Sequence, residues 1–234
     1  MAIITIILTA VVAILPALIW LIFFLREDRH PEPKKLIFYT FLAGGLISFP
    51  VLATQIIFQA IVPDFIENLL VLIIGLALIE EIFKFAAAYW AVNKKPAFDE
   101  PIDAMIYMIA AALGFATVEN IFIIGNGFNL ISAVSLGGMI NVLSLRFIGA
   151  TLLHTLTAGL IGYYWAKGKL ENKLRRKIIF GLAIATLVHA VFNYLILKFQ
   201  ESNLLYPSLF LIVAAFFILN DFEKLKTAKP AELK

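Results

Sequence analysis

Apolar residues run through this chain in long blocks, and polar residues gather between the blocks. A half-buried strand would alternate in a two-residue rhythm, and a surface helix would show a narrow apolar stripe. Neither pattern fits. The blocks predict helices over residues 3–25, 36–62, 69–92, 102–125, 141–165, 177–198 and 204–222. Each holds about 20 residues or more, enough at ~1.5 Å per residue to cross a ~30 Å hydrocarbon core. The expected fold class is all-α, a polytopic transmembrane helix bundle of about seven spans. Residues 128–140 read as an extra re-entrant or interfacial segment before the fifth span. Gly44, Gly45 and Pro50 point to a bent, closely packed second helix. The first block has no basic start and continues to Leu25, so it is expected to stay as a span rather than be cleaved as a signal.

Composition narrows this further. The chain is 62% hydrophobic and 15% charged, against about 45–50% and about 25% in soluble domains. No polar stretch is long enough for a separate soluble domain. A single membrane-embedded domain over 1–226 with a short basic cytoplasmic tail at 227–234 is expected. There is no cysteine, which excludes disulfides, thiolate ligands and a cysteine nucleophile. A net charge of +3 would fit a nucleic-acid partner, but the basic residues sit at span ends, so the expected partner is the bilayer and no nucleic acid is implied. All but three of the 19 basic residues fall in the first, third and fifth connections or the tail; Lys84, Arg146 and Lys198 are the exceptions. The positive-inside rule then puts the N-terminus outside and the C-terminus in the cytoplasm. No internal repeat is visible, which weakens a transporter reading. No phosphate-binding loop or nucleophile elbow is present either.

Ionisable residues inside the blocks stand out. Eleven apolar residues, from Leu69 to Ile79, precede Glu80, Glu81 and Lys84. A charged residue at a helix centre costs roughly 2.5–3.5 kcal/mol on insertion scales. Such groups must act or be neutralised. The fourth span adds Glu119 and Asn120, with Asp103 near its cytoplasmic start. The fifth adds Arg146 and His154, and the sixth His189 and Asn193. His30 lies in a basic loop and reads as solvated.

Glu80 and Lys84 share a helix face, as do His189 and Asn193; Glu81 and Lys84 are three apart. Counted from the outer ends, Glu119, His189, Glu80 and His154 lie ~9–20 Å deep. One shared cavity between the midplane and the outer leaflet is expected. Glu81–Lys84 also reads as a structural ion pair, Arg146 as a neutraliser of a neighbouring carboxylate, and Asn120 as interhelical hydrogen-bond glue. Glutamates with imidazoles suit three tasks: activating water, binding Zn²⁺ or Mn²⁺ for transport, and relaying protons. The residues alone do not choose between a hydrolase and a metal-ion or proton-coupled transporter.

The ordered set resembles a known family. Glu80-Glu81-Ile-Phe-Lys84 resembles the EExxK motif of PrsW-type intramembrane proteases. Asp99-Glu100-Pro101-Ile102-Asp103 with Tyr107, and Gly114-Phe115-Ala-Thr-Val-Glu119-Asn120, resemble that family's next segments. Arg146 with His154, and His189-Ala-Val-Phe-Asn193, resemble its last two. The wider CAAX-processing protease group is similar, but it carries EExxxR and FxxxH. Here Lys84 comes one position earlier and Glu119 replaces the histidine, which favours the PrsW branch.

The resemblance implies an intramembrane endopeptidase in a prokaryotic plasma membrane. Its substrate would be a membrane-anchored protein, cut first in regulated proteolysis of an anti-sigma factor-like regulator. It implies Glu80 as general base, with Glu81 as runner-up. Glu119 and His154 would assist water activation or bind a metal, and His189 and Asn193 would stabilise the oxyanion. Glu119, His154 and His189 are the implied ligands if a zinc ion takes part. Lys84 and Arg146 would support the carboxylates.

Overall fold

The computed structural model describes residues 2–28, 30–62, 69–127, 147–199 and 205–226. Arg146, the 128–140 segment and the 227–234 tail lie outside them. Among the described residues every regular element is a helix. They are α1 (Ala2–Leu25), α2 (Lys34–Ile61), α3 (Leu69–Val92), α4 (Asp103–Gly127), α5 (Ala150–Leu170), α6 (Leu174–Phe199) and α7 (Leu205–Lys226). Helices are what long apolar blocks require, because a helix pairs its backbone groups internally and needs no water. Lys34–Ile61, Asp103–Ile123, Leu174–Phe199 and Leu205–Lys226 are each long and apolar enough to span a bilayer. The chain is a polytopic helical membrane protein.

α5 begins at Ala150, inside the block expected from 141, with Gly149 at its N-cap, while three other helix ends run past their blocks. α5 continues to Leu170, past the expected end at 165, with Lys167 and Lys169 in its last turn. α6 begins at Leu174 rather than 177, and α7 continues through Lys224 to Lys226. Lysine and arginine are good helix formers, and basic groups favour a helix C-terminus. The hydrogen-bond ladder therefore outlasts the hydrophobicity that locates the helix. Asn172, in the tight turn between α5 and α6, takes φ 54°, a left-handed conformation that asparagine tolerates.

α4 is the central helix. It packs mainly against α2 on one side and α5 on the other, with α1 and α3 alongside. Its stretch from Ala104 to Leu113 is buried. Small residues allow this. A Cβ added at Gly44 would sit 1.8 Å from the Ala111 carbonyl oxygen, and one at Gly114 would sit 1.8 Å from that of Phe41. The α2 and α4 backbones thus touch, as expected from Gly44 and consistent with the small-residue packing of membrane helices. On the outer faces of α2 and α7, large apolar side chains such as Leu46, Ile57, Ile212 and Phe216 are exposed, the surface that lipid tails cover.

Two polar contacts tie α1 to the rest. Asn120 Nδ2 donates to the Ala13 carbonyl and to Thr151 Oγ1, both at 3.3 Å. Asn120 thus bridges α1, α4 and α5, the glue role expected of it. Trp20 Nε1 donates to the Phe147 carbonyl at 2.9 Å, and the two rings stack.

Candidate active site

Midway along α3, Glu81 and Lys84 turn into the bundle and are fully buried. Lys84 Nζ donates to Glu81 Oε1 at 2.7 Å. The pair does not stand alone. His189 on α6 meets the same Glu81 oxygen through Nδ1 at 2.7 Å. His154 on α5 meets Lys84 Nζ through Nδ1 at 3.0 Å. The other nitrogen of His154 is 2.7 Å from Glu119 Oε2 on α4. Four helices therefore contribute to one continuous network, and the convergence expected from depth is realised. The imidazole centroids of His154 and His189 lie 5.2 Å apart, and Phe115 closes the network against His154 and Lys84.

Hydrogen-bond inventory assigns the Nδ1 roles of the two imidazoles. A lysine ammonium has no acceptor, so His154 Nδ1 must accept, and a neutral His154 then donates Nε2–H to Glu119. A carboxylate only accepts, so His189 donates Nδ1–H to Glu81. A neutral His189 is left with a lone pair on Nε2. That nitrogen lies 3.7 Å from Glu80 Oε2, and this Glu80 oxygen is buried with no hydrogen-bond partner. Two acceptors thus face one another across a gap too wide for a direct bond and suited to something between them.

The two adjacent glutamates differ sharply. Glu81 is held by Lys84 and His189 and has no exposure. Glu80 is 14% exposed, and its other oxygen accepts from Gln55 Nε2 on α2 at 2.9 Å. Lys84 pairs with Glu81 at i+3, the ion pair read from the sequence, and not with Glu80 on the same face. Glu119 is 31% exposed, so access improves from Glu81 through Glu80 to Glu119.

Gln55 went unnoticed in the sequence because a neutral amide costs less in a span than a charge. The signal it leaves is an amide within a predicted span, which it shares with Gln59 on the same helix. Asn193 is half-buried one turn beyond His189 on the same helix. Among the described residues it makes no hydrogen bond to the network. Arg146 lies outside the described residues.

Metal-ligand chemistry can be tested on this geometry. One donor atom each from Glu80, His154 and His189 lie within 4.8 Å of one another. Two imidazoles with one glutamate is a donor set of catalytic zinc sites. Glu81 behind His189 is the carboxylate that orients such a ligand. The set differs from Glu119, His154 and His189, because Glu119 bonds His154 rather than pointing at the gap. Both nitrogens of His154 are hydrogen-bonded, so its entry into the set requires release of Glu119 or Lys84. The residues fit a metal ion.

Comparison with known proteins converges on the same reading. Residues 32–220 match the family model described as PrsW family intramembrane metalloprotease. The chain is similar to Protease PrsW of Geobacillus kaustophilus (strain HTA426), 30% identical over 195 residues that cover 81% of this chain and 79% of the relative. It is similar to Protease PrsW of Halalkalibacterium halodurans, 30% identical over 205 residues, covering 86% and 89%. Protease PrsW of Bacillus subtilis (strain 168) is 25% identical over 182 residues, covering 74% and 75%. No solved structure matches the chain significantly. A buried glutamate–histidine network on four membrane helices, within a match of this extent, makes the chain a member of the PrsW family of intramembrane metalloproteases.

Proposed function

We propose that this protease hydrolyses a peptide bond of a membrane-anchored protein in the outer half of the bilayer, with Glu80 as general base. The observation that carries the assignment is the 3.7 Å gap between Glu80 Oε2 and His189 Nε2. Each glutamate has one buried oxygen without a hydrogen-bond partner among the described residues, but that of Glu80 faces the gap on a side chain 14% exposed, whereas Glu81 is fully buried and tied through its other oxygen to a lysine and an imidazole.

Glu80 Oε2 takes a proton from a water in the gap, and the water oxygen bonds to the carbonyl carbon of the scissile peptide. Glu80 then passes that proton to the departing nitrogen as the carbon–nitrogen bond breaks. Gln55 orients Glu80 through its other oxygen. Glu81, braced by Lys84, holds His189 with its lone pair toward the water. Glu119 and Lys84 hold His154 by its two ring nitrogens. Asn193, with an uncommitted amide one turn from His189, stabilises the carbonyl oxygen as it gains charge. A metal ion such as Zn²⁺ would be held by Glu80, His154 and His189, with Glu80 then a ligand in place of the base, and when bound would supply Lewis acidity and lower the pKa of water.

The loop charges support an outer-half site and a plasma-membrane orientation with the C-terminus in the cytoplasm. A single-span regulator of the anti-sigma-factor type is the proposed substrate, with this cut as the first of its release. Co-expression with candidate single-span proteins tests the reading. A product that appears with the wild type and disappears with Glu80→Gln is expected; a product that persists in the variant overturns the base assignment. Activity in chelator-treated, zinc-free protein would remove the metal from the mechanism.

A further inference from the structure

A second group of buried acids lies away from the intramembrane network, where the α1–α2 and α3–α4 connections meet. Asp28 is 7% exposed, Glu32 9% and Asp103 fully buried. One oxygen from each lies within 4.8 Å of the others. Among the described residues, no lysine, arginine or histidine forms a salt bridge with any of the three. The nearby cations act on the three only through space: His30 Nδ1 pairs directly with Glu100 at 2.8 Å, and Lys169 lies over the Phe98 ring.

Each carboxylate is anchored by one oxygen. Asp28 Oδ1 accepts the His30 backbone N–H at 2.9 Å. Glu32 Oε2 accepts the Tyr107 hydroxyl. Asp103 Oδ2 accepts the backbone N–H groups of Asp99 and Glu100, at 2.9 and 2.7 Å. The opposite oxygens of Asp28 and Asp103 are buried with no hydrogen-bond partner. Burial pushes the carboxyls of Asp28 and Glu32 above the usual range. Unpaired buried acids are costly unless something from outside the chain joins them.

We propose that Asp28, Glu32 and Asp103 form a binding site for a hard divalent cation, Mg²⁺ or Ca²⁺, that fastens the α1–α2 connection to the start of α4. An all-oxygen carboxylate set selects hard cations over the softer metals that imidazole prefers. The anchored oxygens act as the outer hydrogen bonds that aim a ligand. Three carboxylates leave the remaining coordination positions to water, the usual arrangement for Mg²⁺. The alternative is that the three acids share protons and bind no ion.

Ca²⁺ separates this site from the glutamate–histidine network, because it favours oxygen over imidazole. The full chain in detergent, stripped with EDTA and freed of chelator, is titrated with ⁴⁵Ca²⁺ by flow dialysis. Its melting temperature is followed with and without Ca²⁺ or Mg²⁺. Stoichiometric Ca²⁺ binding, competed by Mg²⁺ and accompanied by a rise in melting temperature, is expected. Asp28→Asn should weaken binding by more than the ~10-fold that loss of an outer partner costs and erase the rise, while Glu119→Gln binds as the wild type does. Glu32→Gln keeps an acceptor for Tyr107 and serves as a second variant if Asp28→Asn does not fold. Binding that is lacking in the wild type, or equal in the wild type and both cluster variants, overturns the site. So does an Asp28→Asn protein that melts higher in EDTA alongside a wild type indifferent to both ions, which is the signature of shared protons.

Discussion

Two groups of carboxylates are buried in this bundle, and they are compensated in opposite ways. Around Lys84, the acids Glu81 and Glu119 each meet a cation or an imidazole from another turn or helix. Around Asp103, three acids face one another and are anchored by neutral N–H and O–H donors. The first group is close to balanced within the chain; of its two buried oxygens without a hydrogen-bond partner among the described residues, Glu81 Oε2 belongs to a fully buried carboxylate and Glu80 Oε2 to the partly exposed one, where chemistry is proposed. The second calls for a counter-charge from outside. A buried charge with its partner built in becomes scaffold, and a buried acceptor left over becomes a site.

Substitutions can break this contrast at several strengths. Glu80→Gln should lower cleavage by about 10²–10⁴-fold, the usual contribution of a general base, with melting temperature unchanged. Loss of both in parallel would place Glu80 among the scaffold residues. Lys84→Met strands the Glu81 carboxylate, and breaking a buried pair in this way costs about 3–5 kcal/mol. Chemical unfolding in detergent should register that loss, and Glu81→Gln combined with Lys84→Met should recover much of it. Gln55→Leu removes one hydrogen bond to a carboxylate, worth about 1.5–3 kcal/mol. Its expected signature is a fall in kcat of roughly ten- to a hundredfold beside a stability loss within that range. Tyr107→Phe, which removes the donor to Glu32, should have the smallest effect, about 1 kcal/mol of stability, read by the same unfolding assay in EDTA.

The first group was largely visible in the chain itself. Glu80, Glu81, Lys84, Glu119, His154 and His189 interrupt apolar blocks, and an interruption that expensive is conspicuous. Their pairing was less visible. The Glu81–Lys84 ion pair was readable from its spacing, but not where α5 and α6 bring their imidazoles onto it. Gln55 was hidden by its neutrality. Asp28 and Glu32 were hidden for another reason: acids in a loop between basic residues look solvated, and their burial follows from how two connections fold over the start of α4. The helix ends misled in the same direction three times, at Leu170, Leu174 and Lys226. Hydropathy marks where lipid ends, whereas the backbone ladder stops where caps and turns stop it.

The contact of Gly44 with the α4 backbone has a reach beyond packing. It pins α2 like a fulcrum, and Gln55 rides the same helix about 16 Å further along. A lone methyl group at Gly44 would tilt that lever and swing Gln55 relative to Glu80. Catalysis would then be throttled from a position that touches neither water nor substrate, and the timing of the cut would be set by how firmly two helices are clasped.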